Sequence, residues 1–338
     1  MSESTQQNSL NISSDTQKPK NFRDTLIVIG NGFDIWQGLP TTAMHFDRYF
    51  RRHQKEILQK LHIPAIEKKE EGRPVEYGTS LDLIYGASTG EFEIYSDFWY
   101  EFEEALGDIE DETIIRFFGT DKSDIEDLKR NATNSWRILK YTFSHWIQTV
   151  SIPKSPLPLS FPSSCLFLTF NYTQTLQKRL HIDERNIYHI HGCVQHPDSI
   201  IFGHNSCHER GFDILRQFGG SFEAGYYLEE LLYKTDKKIA LRIKQYKKFL
   251  HNYHYLLRDI QQIYIVGHSL GEIDEGYFRF LHKSINPKAQ WHISFFSEQD
   301  KERACRLVHR LKLSSRQYRL YSSIDECLNP FTIQLTQG

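Results

Sequence analysis

The chain has 338 residues, 39% of them hydrophobic and 14% aromatic, enough for a large core in one domain that carries sizeable insertions. Its formal net charge of −2 supplies no global attraction to nucleic acid. Cys165, Cys193, Cys207, Cys305 and Cys327 form an odd set without a CxxC pair, so neither a disulfide framework nor a four-cysteine zinc site is indicated, and a reducing cytoplasm fits best.

Residues 1–22 are rich in Ser, Gln, Asn and Thr and lack an apolar h-region, which reads as a disordered tail rather than a signal peptide. No apolar run approaches the roughly 20 residues needed to span a membrane. The run TLIVI at 25–29 suits a strand covered on both faces. It ends in Gly30-Asn31-Gly32-Phe33-Asp34, where a helix can begin. Gly38-Leu39-Pro40 then breaks the chain, and Thr41 or Thr42 can cap a helix over 43–52.

Residues 60–91 are mixed and charged, an excursion. From Phe92, and again over 125–150, apolar positions recur at three and four, predicting two amphipathic helices. The proline-rich 152–162 reads as an extended connector. Strand-like runs return at 165–170, 186–190 and 200–202. One helical face spans 239–260, with Lys237, Lys238, Arg242, Lys244, Lys247 and Lys248 reading as its solvated side rather than a nucleic-acid surface. A strand at 263–266, another at 291–296, a helix near 299–311 and a strand at 317–321 close the pattern. The alternation predicts an α/β fold: a Rossmann-like, doubly wound parallel sheet in a single domain over 23–338, with helical insertions at about 60–150 and 206–260.

Four segments follow strand-like runs, where ligands bind in open parallel sheets. Gly30 and Gly32 would let backbone amides approach a phosphate at a helix start; a plain strand-to-helix turn, with Asp34 as N-cap, stays open because Ile35 stands where the dinucleotide fingerprint has its third glycine. Asn171, after CLFLT and Phe170, can point its amide into the crevice or cap a helix over 173–180. His191 stands before Gly192, whose missing side chain leaves room for a ligand, and is a general-base candidate ahead of His189, which shares its face by the period-two rule. His204 and Asn205 read as loop residues. Gly267-His-Ser-Leu-Gly271 fits a nucleophile elbow around Ser269, but fewer than 70 residues remain for the acid and histidine, and Asp274 lies too near to be that acid. Gly267, Ser269 and Asp274 can instead form a polar turn on a nucleotide's ribose side.

Gly30 to Pro40 resembles the nucleotide loop of the sirtuins, Phe170-Asn171 their catalytic asparagine segment, His191-Gly192 their catalytic His-Gly, and Gly267-x-Ser269 their Gly-x-Ser turn. GNGFD-xxx-GLPT, FNYT-x-TL, HIHG, FGHN and GHSLG-xx-D together resemble the AbiH-type abortive-infection family of bacterial antiphage proteins. The sirtuin zinc cysteines are missing, Asp34 replaces a serine, and Thr41-Thr42 replaces Asp-Phe, so the resemblance implies a sirtuin-like site without acyl-lysine chemistry.

It implies a cytoplasmic antiphage effector that binds NAD and hydrolyses it to nicotinamide and ADP-ribose without a metal. Asn171, His191 and Asp34 would be catalytic, and Gly30, Asn31, Gly32, Phe33, Thr41, Gly192, Gly267, Ser269 and Asp274 would contact NAD. A phage-derived trigger, a partner defence protein and a homo-oligomer are the partners this implies. The alternatives are a non-catalytic NAD or ADP-ribose sensor and a serine hydrolase using Ser269.

Overall fold

A computed structural model describes residues 24–63, 125–203 and 236–333. The expected tail, the excursion at 64–91, the helix from Phe92, and His204 and Asn205 lie outside the described residues. Among these, six strands form one parallel sheet: β1 (Thr25–Ile29), β2 (Cys165–Thr169), β3 (Ile187–His189), β4 (Gln262–Val266), β5 (Gln290–Ser294) and β6 (Tyr318–Tyr321). Their order, β3-β2-β1-β4-β5-β6, is the Rossmann order. The chain builds outward from β1 to β3, then returns to place β4 on β1's other side.

Both faces of the central strands are covered, which is why their sequences are continuously apolar rather than alternating. Leu26 and Val28 face one core, with Leu166, Leu168, Ile263 and Ile265; helices α5 (Ile239–Asn252), α6 (Glu275–Ser284) and α7 (Glu298–Arg310) pack there. Ile27 and Ile29 face the other, with Phe167, Tyr264, Val266 and residues from α4 (Thr175–Leu180) and α8 (Ile324–Leu328). A separate aromatic layer joins α2 (Ala43–Lys60) to α3 (Ile125–Thr149): Phe46 packs on Phe143 and Trp146, and Phe143 stacks on Phe202.

Several local expectations change. The first helix, α1 (Asn31–Trp36), starts three residues before Asp34 and has Gly30 at its N-cap, so Asp34 is not a cap. Gly38 (φ 78°) ends α1: its N–H reaches the Ile35 carbonyl and the Leu39 N–H that of Asp34, a left-handed helix stop. Thr42 is the residue that caps α2, accepting from the His45 N–H. Helix α4 begins at Thr175 after Gln174, without a side-chain cap, which removes the capping explanation for Asn171. Residues 200–202 are not a strand; Ile200 and Phe202 instead join the α2–α3 layer. Helix α5 stops at Asn252, earlier than its apolar stripe predicts, because His254 turns left-handed (φ 56°). The proline-rich connector is extended, and Leu159 bridges Thr332.

Register brings the motifs together. Ile29 lies beside Thr169 on one side and Val266 on the other, and Thr169 beside His189. Gly30, Phe170 and Gly267 therefore leave the sheet at one level, with His191 two residues past the end of β3.

Candidate functional site

A cavity of about 560 Å³ opens at this carboxyl edge, beside the point where the strand order reverses. Gly30, Asn31, Gly32, Asp34, Thr41, Asn171, His191, Gly267, Ser269 and Asp274 all line it. Phe33 does not: it is buried in the core below the sheet edge. Gly192 (φ 86°) also lies outside the lining, and a Cβ there would sit 2.2 Å from the Ser199 carbonyl oxygen. Its missing side chain makes room for backbone, not for a ligand.

The glycines at β1 and β4 act in the same way. The Gly30 N–H donates to the Val266 carbonyl at 3.0 Å and the Gly32 N–H to the Gly267 carbonyl at 2.7 Å, while a Cβ on Gly267 (φ 61°) would lie 2.3 Å from the Phe33 nitrogen. These residues weld two loops together. Consequently, the Gly30 and Gly32 amides expected at a phosphate are already engaged within the protein. Asn31 pins the following loop by donating from Nδ2 to the Thr41 carbonyl at 2.8 Å.

On the β2 side, Asp34 is 1% exposed and accepts one hydroxyl on each oxygen, from Thr173 at 2.6 Å and Thr175 at 2.8 Å. Burial raises its carboxyl from 3.8 to about 6 despite those bonds, because neutral donors return only part of the hydration a carboxylate loses. Asp34 thus ties α1 to the loop carrying Asn171. The Asn171 amide is close enough to draw the Asp34 pKa down slightly, yet lies outside hydrogen-bond geometry. Asn171 is 5% exposed, and neither its Oδ1 nor its Nδ2 has a hydrogen-bond partner among the described residues. Buried amides are normally satisfied, so this one is set for something that enters the cavity.

The β4 side is ionic. Asp274, at the end of a short turn before α6, accepts from Lys237 Nζ at 3.0 Å. The Nε2 atoms of His191 and His268 approach its two oxygens at 3.9 and 3.8 Å. His191 Nε2 also meets the Tyr277 hydroxyl at 3.3 Å. Phe170 sets its ring edge-on to both imidazoles and to Tyr277. Although burial pushes the Asp274 carboxyl up, Lys237 first and then the two histidines hold it below the usual range. Burial and then Lys237 lower His191 well below 6.5; burial lowers His268 to about 4, with a smaller push from Lys237. Both shifts favour the neutral imidazole. In His268, Nδ1 accepts the Leu270 N–H at 2.9 Å, so its proton sits on Nε2, facing Asp274.

His189 and His191 do not share a face. β3 ends at His189, so the two-residue period lapses. His189 meets the Asn171 carbonyl through Nδ1 at 2.9 Å and Gln177 through Nε2 at 3.0 Å; it braces the Asn171 loop from behind. The hydroxyl of Ser269 bonds no histidine among the described residues, and Nδ1 of the adjacent His268 is taken by the Leu270 amide, so none of them is set as an activating base for the elbow serine.

Lys237 departs furthest from the sequence reading. Placed among lysines of a solvated helix face, it is 1% exposed and ion-paired, whereas Lys244, Lys247 and Lys248 are exposed. No local pattern separates it from them; its partner lies 37 residues on. His268 and Tyr277 were equally unmarked, though the position of His268 directly after a strand-end glycine was a usable signal. Thr173 and Thr175 stand in the FNYT-x-TL motif and near the start of the expected helix, with nothing there to pair them with Asp34.

Among the described residues, no group of three or more His, Cys, Asp or Glu could hold a metal ion, and no helix is long and apolar enough to cross a membrane. No curated protein and no solved structure matches the chain. The family described as bacteriophage abortive infection AbiH matches residues 26–295, a span that runs from the second residue of β1 through β5 and holds Gly30, Asp34, Asn171, His191, Lys237, His268 and Asp274. The chain therefore belongs to the AbiH family of bacteriophage abortive-infection proteins.

Proposed function

We propose that the cavity binds NAD⁺ and cleaves its nicotinamide–ribose bond with water, so that abortive infection proceeds by loss of the cofactor. The observation that carries this reading is the buried Asn171 amide, without a hydrogen-bond partner among the described residues, in the same cavity as the buried imidazole of His191.

The chemistry needs few parts. The pyridinium nitrogen already carries positive charge, so the C1′–N bond breaks with its electron pair going to nicotinamide and no acid is required. What remains is to stabilise an oxocarbenium-like carbon and deliver water to it. Asn171 holds the ribose or the water. His191 takes the proton that water releases as its oxygen bonds C1′. Asp34, ionised above about pH 6, sets negative charge near the cationic carbon and fixes the Asn171 loop.

A volume of about 560 Å³ lies within the roughly 300–1,000 Å³ of small-molecule sites. The fit is best at the ribosyl end. Asp34, Asp274, Asp300 and Asp325 line the cavity with Lys237, an arrangement that favours the cationic nicotinamide half. Because the Gly30 and Gly32 amides are engaged within the protein, the pyrophosphate must rest on other groups. Asp274 lies beside His191, which supports reading it on the reacting half rather than at the adenosine ribose.

The test follows cellular NAD⁺ and ADP-ribose with and without phage in wild type, Asn171→Ala and His191→Ala. Each substitution is expected to slow NAD⁺ loss by roughly 10²- to 10⁴-fold with unchanged thermal stability and expression. Undiminished NAD⁺ loss in both folded variants overturns the mechanism. Saturable NAD⁺ binding without nicotinamide release would identify a sensor instead.

A further inference from the structure

Two imidazoles, one carboxylate and one ammonium share a pocket with almost no water access: His191, His268, Asp274 and Lys237 are 3%, 7%, 8% and 1% exposed. Among the described residues this cluster holds one acid and three bases, so two arrangements compete: Asp274 can hold Lys237 and leave both histidines neutral, or hold an imidazolium instead. Distance separates them. Lys237 Nζ sits at hydrogen-bond length, 3.0 Å from Oδ1, while each histidine stands nearly an ångström farther off, and Coulomb attraction in a dry site rises steeply at short range.

We propose that Lys237 is a positioning residue that claims the Asp274 charge, keeps His191 and His268 neutral at rest, and so preserves His191 as the proton acceptor. The inference deepens the function proposed above and rests on it only for what the accepted proton does. Asp274 still lies close enough to His191 to stabilise the imidazolium once formed, so the cluster opposes protonation before the reaction and tolerates it during the reaction.

Among the described residues, the charged or titratable groups acting on His191 are Lys237 ahead of α5, Arg242 on it, His268 after β4, and Asp274 ahead of α6. Tyr277 on α6 adds its hydroxyl. Removing Lys237 alone strands the carboxylate between two imidazoles, the arrangement most apt to pull a proton onto one of them.

The test is histidine NMR on the full chain, with resonances assigned through His191→Ala and His268→Ala. In wild type, both imidazoles are expected neutral at pH 7. In Lys237→Met, His191 or His268 should gain about tenfold or more in proton affinity. Lys237→Arg should restore wild-type titration. If Lys237→Met does not fold, the double variant Lys237→Met, Asp274→Asn, which removes both charges, is expected to fold with both histidines neutral.

A charged imidazole in wild type at pH 7 overturns the proposal, whichever variants fold. So does a folded Lys237→Met whose histidines titrate as in wild type, or a double variant with a charged imidazole at pH 7. None of these readings depends on NAD⁺. Where the chain also hydrolyses NAD⁺, the acid limb of the pH–rate profile should move to higher pH in Lys237→Met; its failure to move while the NMR shift occurs would overturn the assignment of His191 as base and leave the charge arrangement standing.

Discussion

Two carboxylates stand on the floor of one cavity, 1% and 8% exposed, and their partners drive their acidities apart. Asp34 is held by two threonine hydroxyls and rises to about 6; Asp274 is held by an ammonium flanked by two imidazoles and falls below the usual range. Desolvation acts on both, so the sign is set by the partner. Hydroxyl dipoles return part of what water supplied, whereas a full charge at 3.0 Å returns more. One rim of the cavity is accordingly a hydrogen-bonded clamp and the other an ion cluster.

The comparison is broken most forcefully by unbalancing the ionic rim. Asp274→Ala removes the carboxylate held 3.0 Å from the buried Lys237 ammonium and should cost about 3–5 kcal/mol by chemical denaturation, while the double variant Lys237→Met, Asp274→Asn should lose much less than the two single changes summed. A strictly additive result would mean that the two residues do not act as a pair. Joining the two rims is the glycine weld. Gly267→Ala adds a Cβ at φ 61°, 2.3 Å from the Phe33 nitrogen, and should lower stability by about 1–3 kcal/mol through backbone displacement. An unchanged melting temperature would disprove the contact.

The clamp should yield less. Thr175→Val and Thr173→Val each remove one hydroxyl from Asp34 at nearly constant shape, for an expected loss of about 1.5–3 kcal/mol each, as for hydrogen bonds to charged groups. Both should also weaken any ligand that engages Asn171, since the same loop carries it. Equal effects on stability from a threonine outside this contact, such as Thr332→Val at the chain's edge, would mean that the clamp adds nothing specific.

The two rims were unequally legible in the sequence. The strand runs TLIVI, CLFLT and IYIV stood out because double burial leaves few polar positions. Asp34, Asn171 and His191 stood out because each follows such a run closely. The convergence of these segments could be expected from topology, since parallel strands in register end at one level. Lys237 could not be found this way: its burial depends on Asp274, and composition places it with exposed lysines. The glycines were visible, but their use was misjudged. A sequence pattern marks where backbones come close without saying whether the neighbour is a phosphate or another loop, and here it is a loop. Residues 200–202 are apolar for a similar reason: burial between helices selects the same residues as burial in a sheet.

The effect smallest at any single step of pH, because it is spread over the acid range, is also the most discriminating, since the rims should respond to acid with opposite signs. For His268 the folded value is depressed, from 6.5 to about 4. Between those values the unfolded chain binds the extra proton, so stability is lost as pH falls through that window, by roughly 3 kcal/mol at most; His191 acts in the same direction. For Asp34 the folded value is raised, from 3.8 to about 6. Between those values it is the folded chain that holds the extra proton, so this group adds stability as pH falls below 6 and partly offsets the histidines. Asp34→Asn removes that titration. Relative to wild type, the variant should therefore gain stability steadily from pH 4 to pH 7, by up to about 3 kcal/mol across the window, whatever constant cost the lost acceptor adds. Melting temperatures of the two proteins measured side by side across that range check it. A difference that does not change with pH would place Asp34 in contact with water and dissolve the contrast between the two carboxylates.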